Sequence, residues 1–161
     1  MRIVVYGIPA PQGSKDPMRN RHTGKLFTRE VSPKLTPWRQ DVKQAAEAAL
    51  DDLGRPAAFT GAVVMRLVFT FDRPKSVKRS KRPWPSVSPD LDKLARGVLD
   101  ALKAAGVFRD DCLVVEFTRL AKVYSGEDPE ALDRPGAMII IGELVDSEAI
   151  GGALPRKSKG S

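Results

Sequence analysis

Two pairs of aspartates, Asp90 with Asp92 and Asp110 with Asp111, flank a run that also carries Lys93, Arg96 and Lys103. Three or four carboxylates held near cations on a defined scaffold make a hard-metal site. All-oxygen donors suit Mg²⁺, and no His or Cys cluster is present to favour zinc. A plainer account needs no ligand. In it Asp90 caps a helix, Asp92 complements the helix dipole, and Asp92 with Arg96 has the spacing of a surface ion pair. On Asp-x-Asp alone the plainer account is favoured, so the decision rests on the surrounding pattern.

The element that must position these acids is a helix. Ser88 or Asp90 can cap it, and Pro89 suits its first turn. Leu91, Leu94, Ala95, Val98, Ala101, Leu102 and Ala105 fall on one arc, roughly 120° wide at about 100° per residue. Gly106 follows, where a left-handed residue ends a helix. Asp92, Arg96 and Lys103 form the opposite stripe.

Asp90-Leu91-Asp92, then Leu94, Arg96, Val98-Leu99-Asp100-Ala101-Leu102, Gly106 and Asp110-Asp111, together resemble the RusA family of Holliday junction resolvases (crossover junction endodeoxyribonucleases). The likeness extends more loosely over the opening strand, the Pro9-Ala10-Pro11-Gln12-Gly13-Ser14-Lys15 turn and the later strands. It leaves out the last ~15–20 residues. The resemblance implies that Asp90, Asp92 and Asp111 are metal-binding catalytic acids, with Mg²⁺ as cofactor and four-way junction DNA as substrate. Such a metal polarises the scissile phosphate and lowers the pKa of an attacking water. The family's usual Asn after the second acid is Lys93 here, and its usual Lys four residues after that acid is Arg96. Arg96 keeps the charge but cannot give up a proton, and it presents a planar fork. Lys93 and Arg96 are then expected to neutralise charge developing on the phosphate. The family also suggests a phage or prophage source.

Charge and size agree with that expectation. The chain has 161 residues, enough for one domain with a real core. Its 27 basic and 20 acidic residues give +7, the footprint of a protein that meets a polyanion, although charge alone does not separate DNA from RNA or anionic lipid. One cysteine, Cys112, excludes an internal disulfide framework and points to a reducing compartment. It reads as a buried strand residue rather than a nucleophile. No apolar run is long enough for a bilayer, and Met1-Arg2 leads into a strand rather than a signal peptide, so a soluble cytoplasmic protein is expected.

Along the chain, Arg2 to Ile8 alternates as a first strand, followed by a Gly- and Pro-containing loop that ends at Lys15. Phosphate contact by Lys15 and a plain turn stand about equal. Arg19 to Phe27 reads as a small basic hairpin turning at Thr23-Gly24, with Arg19, Arg21, Lys25 and Arg29 as a phosphate arm or a solvated loop. His22, the only histidine, offers no His-based metal site. Thr36-Pro37-Trp38 opens the next helix, whose buried face is Trp38, Val42, Ala45, Ala46, Ala49 and Leu50. Val63 to Phe71 alternates as a long strand. Then comes a proline-broken stretch from Arg73 to Pro85 with six cations and no acid. Lys75, Lys78, Arg79, Lys81 and Arg82, with Lys15 and Lys93, are the candidate DNA-backbone contacts; the alternative is a solvated linker. Trp84 stays open between stacking on a base and anchoring the loop. Leu113 to Val123 is a strand with Val115 and Phe117 facing away from Glu116 and Thr118, and Glu116 is a weak further metal candidate. Ser125 to Pro135 is a polar loop, and Ala137 to Ile141 a buried central strand. No internal repeat is apparent.

The expected fold is a two-layer α/β (α+β) domain of RusA type: a mixed sheet with helices on one face, in the order β-α-β-α-β-β, over residues 1–143. Residues 144–161 form a basic, mobile tail. The expected activity is Mg²⁺-dependent cutting of four-way junctions in recombination and repair. The rivals are a non-catalytic basic DNA-binding protein and, further off, a Mg²⁺-dependent nucleotide-sugar transferase using Asp-x-Asp. A homodimer with shared active sites is also expected. From Asp92 to Gly106 a helix rises roughly 21 Å, whereas ligands of one Mg²⁺ sit about 2.0–2.1 Å from it. Two antiparallel copies would bring Asp90 and Asp92 of one beside Asp111 of the other. Gly97, Ala101 and Ala104 offer a small-residue strip for that approach, the alternative being a strip that packs within one chain.

Overall fold

The computed structural model describes residues 1–13, 16–19, 22–29 and 33–144, with 16–19 and 26–29 described in their backbone only. The elements are β1 (Arg2–Tyr6), β2 (Asp16–Arg19), β3 (Leu26–Arg29), α1 (Leu35–Asp52), β4 (Val63–Phe71), α2 (Leu91–Ala104), β5 (Val114–Tyr124) and β6 (Gly136–Glu143). A single 3-10 turn at Asp111–Leu113 leads into β5. The expected order therefore stands, with the β2–β3 hairpin added as a separate two-stranded sheet. Gly24, in its turn, has a φ of +66°.

The main sheet runs β1-β6-β4-β5. β6 pairs antiparallel with both β1 and β4, so the apolar Ala137–Ile141 run is central, as expected. β4 and β5 are parallel. A parallel pair needs a crossover, which α2 supplies. This β4–α2–β5 unit is what fixes the candidate acids in space.

Both helices lie on one face of the sheet. Leu35, Trp38, Val42, Ala46 and Leu50 of α1 and Leu94, Ala95, Val98, Ala101 and Leu102 of α2 pack with Ile3, Met65, Leu67, Phe69 and Ile139. Each fully buried Val, Leu, Ile, Phe or Met side chain among these stabilises by about 1.5–3 kcal/mol. Trp38 is core, as expected. The other face carries a smaller cluster of Val68, Val123, Leu132 and Met138 under the β5–β6 connection. That loop is docked by Leu132 N–H donating to buried Thr70 Oγ1 at 2.9 Å, and by ion pairs of Arg66 with Glu130 and of Arg119 with Asp128 and Glu130.

Three local expectations change. α1 begins at Leu35 rather than at a Thr36 cap, because Leu35 is itself fully buried; Lys34 occupies the cap position without a side-chain cap bond. Val115 is 60% exposed rather than sharing the buried face of Phe117. The pairing steps from Val63↔Val114 to Val64↔Glu116, so Val115 is the extra residue of a bulge and turns outward. Cys112 is exposed, since it lies in the turn before the strand rather than within it. The expected tail falls, from residue 145 onward, outside the described residues, as does Lys15. Among the described residues no helix is long and apolar enough to cross a membrane.

Candidate active site

α2 begins over the carboxyl ends of the parallel strands β4 and β5, the side on which open α/β sheets carry their ligand sites. Asp90 takes the N-cap position, with Pro89 one residue before it rather than in the first turn, and its carboxylate makes no cap bond. It pairs instead with Lys93 Nζ at 2.8 Å. The Lys93 hydrogen bond is the main cause that holds the Asp90 carboxyl below its ordinary range, and the same bond raises the Lys93 ammonium. Asp92 is exposed in the first turn, where the helix dipole favours a negative charge. Arg96 is exposed one turn on; among the described residues it and Asp92 make no ion pair.

Two other segments frame this helix start. Gln12 N–H donates to the Lys93 carbonyl at 3.0 Å, which docks the Pro9–Gly13 stretch against α2. Gln12 is buried and its Oε1 has no partner among the described residues. A cleft of about 410 Å³ opens there, lined by Lys34, Lys93, Asp90, Gly13 and several prolines. On the other side runs the cationic stretch. Lys75, Lys78, Arg79 and Lys81 are exposed and Arg82 is half-buried, all in successive turns rather than a helix. Arg73, counted in the sequence with these cations, has a different job. Its guanidinium donates to both Glu127 carboxylate oxygens, to the Arg82 carbonyl and, at 3.4 Å, to the Pro83 carbonyl. Trp84 is 62% exposed, so most of it faces solvent.

The second acid pair lies at the opposite end of α2. Gly106 has a φ of +81° and ends the helix as expected. Asp110 accepts from Cys112 N–H at 3.3 Å and from Lys103 Nζ at 3.2 Å. The contact with Asp111 is the main cause that drives the Asp110 carboxyl well below its ordinary range, and it raises that of Asp111. The helix continues from Asp92 to Ala104 before the second pair, a rise of roughly 18 Å at about 1.5 Å per residue. Among the described residues no group of three or more acid, His or Cys side chains stands close enough to hold a metal ion. The carboxylates fit a hard divalent cation in kind, but among the described residues a single chain gathers only two at either end.

The small-residue strip does not serve a second copy. Gly97 and Ala101 are buried within the chain, and a Cβ on Gly97 would stand 3.3 Å from Leu35 Cδ1 and 3.6 Å from the Ala10 carbonyl oxygen. The strip is there so that α1 and the Pro9–Gly13 stretch can approach α2; only Ala104 stays exposed.

Residues 9–132 match the family described as Endodeoxyribonuclease RusA. The chain belongs to the RusA family. The match runs from the Pro9–Gly13 stretch through the cationic loop and α2 to Leu132, and so includes every element just described around the two acid pairs. The chain is also 31% identical over 137 residues to "Uncharacterized protein YqaN" of Bacillus subtilis (strain 168), covering 79% of this chain and 89% of that protein. In this RusA chain the residue after the second acid, Lys93, is tied to the first one.

Sequence reasoning missed Lys122, Gln12 and Lys34 as neighbours of the site, and the pairing of Arg73 with Glu127. Lys122 Nζ donates to the Val87 and Pro89 carbonyls at 2.7 and 2.8 Å. Nothing local in the sequence signals these contacts, because Lys122 lies 33 residues from Pro89 and Arg73 lies 54 from Glu127.

Proposed function

We propose that this RusA-family chain is a Mg²⁺-dependent endonuclease that nicks four-way DNA junctions during recombination, with active sites completed between two copies. The observation that carries the reading is the segment from Arg73 to Asp92. It delivers exposed cations and the Asp90–Asp92 pair side by side at one end of α2, within the residues matched to the RusA family. Cations there hold backbone phosphates without reading bases, which suits a substrate selected by shape.

Asp90 and Asp92 would hold the metal together with Asp111 of a second copy. When bound, the metal supplies Lewis-acid polarisation of the phosphate and a more acidic attacking water. Lys93 lies 2.8 Å from Asp90 and exchanges that carboxylate for a phosphate oxygen as the DNA arrives. Arg96, one turn further along the exposed stripe, adds charge where the phosphate becomes more negative. The placement of the acid pairs of one chain at opposite ends of α2 supports pairing of two copies about a two-fold axis. Two such sites match the two opposed nicks that resolve a junction.

A labelled four-way junction incubated with the protein and Mg²⁺ tests the reading. Paired nicks are expected; binding without nicks in any divalent metal returns the chain to a non-catalytic DNA-binding role.

A further inference from the structure

The segment from Arg82 to Asp90 has an unusual backbone problem. Pro83, Pro85 and Pro89 have no N–H to offer, and the segment belongs to neither a helix nor the sheet. Its carbonyl groups still need donors wherever they are buried. Two side chains, one of the sheet and one just beyond it, bond four of these carbonyls, of which those of Arg82 and Pro89 are partly buried. Arg73, just past β4, takes the Arg82 and Pro83 carbonyls. Lys122, near the end of β5, takes the Val87 and Pro89 carbonyls at 2.7 and 2.8 Å.

The Pro89 carbonyl belongs to the peptide that leads directly into Asp90. Lys122 stands opposite Phe69 in the β4–β5 register, so its backbone on the edge strand β5 is held by the inner strand β4. Its side chain lines, with Phe71, Tyr124, Val87 and Pro89, a small cavity of about 170 Å³ beside the start of α2. The strand thus grips the last carbonyl before the first candidate ligand, that of Pro89, and the last but two, that of Val87. With two of its three N–H donors committed to those carbonyls, the ammonium is engaged inward rather than offered to DNA.

We propose that Lys122 is a positioning residue for the metal site: it sets the Asp90 carboxylate by clamping the Val87 and Pro89 carbonyls to β5. The inference rests on the reading of Asp90 as a metal ligand given above. Groups that orient ligands without touching the ion typically carry a 10–100-fold effect on metal affinity. Lys122 acts one step further out, through the main chain, while its charge also reaches the Asp90 carboxyl.

The test compares the full-length chain with Lys122→Met, which keeps the stem and removes the donor, and Lys122→Arg, which keeps a donor. Mn²⁺ affinity is measured by electron paramagnetic resonance, amide hydrogen exchange is followed over residues 84–92, and junction binding is measured in metal-free buffer. For Lys122→Met, Mn²⁺ binding is expected to weaken about tenfold, with faster exchange confined to 84–92 and unchanged junction binding. Lys122→Arg should recover part of both the protection and the affinity. Wild-type Mn²⁺ affinity in Lys122→Met overturns the proposal, as does exchange that rises throughout the chain. Weaker junction binding with a shallower salt dependence also overturns it, because Lys122 would then be a phosphate contact. Wild-type protein that binds no Mn²⁺ overturns the metal reading itself, a failure visible before any variant is made.

Discussion

The Arg73 guanidinium is bidentate on Glu127, at 2.8 and 2.6 Å, and lies 4.0 Å over the ring of Tyr124. Glu127 also stands 3.7 Å from Arg79. One acid from the β5–β6 connection therefore serves the base and the middle of the cationic loop. Arg73→Met is expected to weaken junction binding by roughly 3- to 10-fold through lost preorganisation, while the slope of log affinity against log salt stays the same. Fluorescence anisotropy across a salt series checks both; a reduced slope would make Arg73 a direct phosphate contact.

The other cations of that loop behave differently. Neutralising Lys78, Arg79, Lys81 and Arg82 together removes counterion release at up to four phosphates. The salt slope should fall by up to roughly 3.6, at about 0.9 per contact, and by the same amount on unrelated DNA sequences. An unchanged slope leaves this stretch as a solvated linker.

Asp92→Asn removes one candidate ligand and one negative charge next to phosphate. Nicking should fall by about 10²–10³, the equivalent of several kcal/mol of transition-state stabilisation. Junction binding should hold or improve. Wild-type nicking by this variant would reduce Asp92 to a helix-surface residue.

Mixing inactive Asp92→Asn and inactive Asp111→Asn proteins under subunit exchange distinguishes shared from self-contained sites. In a shared arrangement each mixed dimer has one intact site and one with both lesions, so single-strand nicking returns. Self-contained sites each keep a lesion, and nicking stays absent.

On the far face of the sheet, Arg119 pairs with Asp128 and Glu130, and Arg66 with Glu130. The Arg119 hydrogen bonds are the main cause that lowers both carboxyls below their ordinary values. A carboxyl lowered by folding contributes stability that is present above its unfolded pKa and is lost as pH falls through its folded pKa. Stability should therefore decline as pH drops below the usual carboxylate range. Glu130→Gln should cost about 1–2 kcal/mol at neutral pH and flatten that acid limb, measured by urea unfolding at several pH values.

The local pattern of residues was enough for the elements and for the family. The arc from Leu94 to Leu102 gives α2, Gly106 ends it, and the alternation from Val63 to Phe71 gives β4, because each depends on the helical or strand period alone. The spacing of Asp90, Asp92 and Asp111 carried the resemblance to RusA, and its length predicted that one helix keeps the acids apart. Periodicity shows which face is apolar but never which partner covers it. Gly97 and Ala101 thus stood open between a second copy and packing within the chain; both are buried, and Leu35 and Ala10 stand against Gly97. Val115 turns outward because of a bulge set by the pairing with β4, which no strand contains on its own. The clamps of Lys122 on Pro89 and of Arg73 on Glu127 close loops of 33 and 54 residues. Contacts at such separations arise only when the sheet assembles and brings β5 and its following loop beside α2, so the settings of Asp90 and of the cationic loop belong to the tertiary structure.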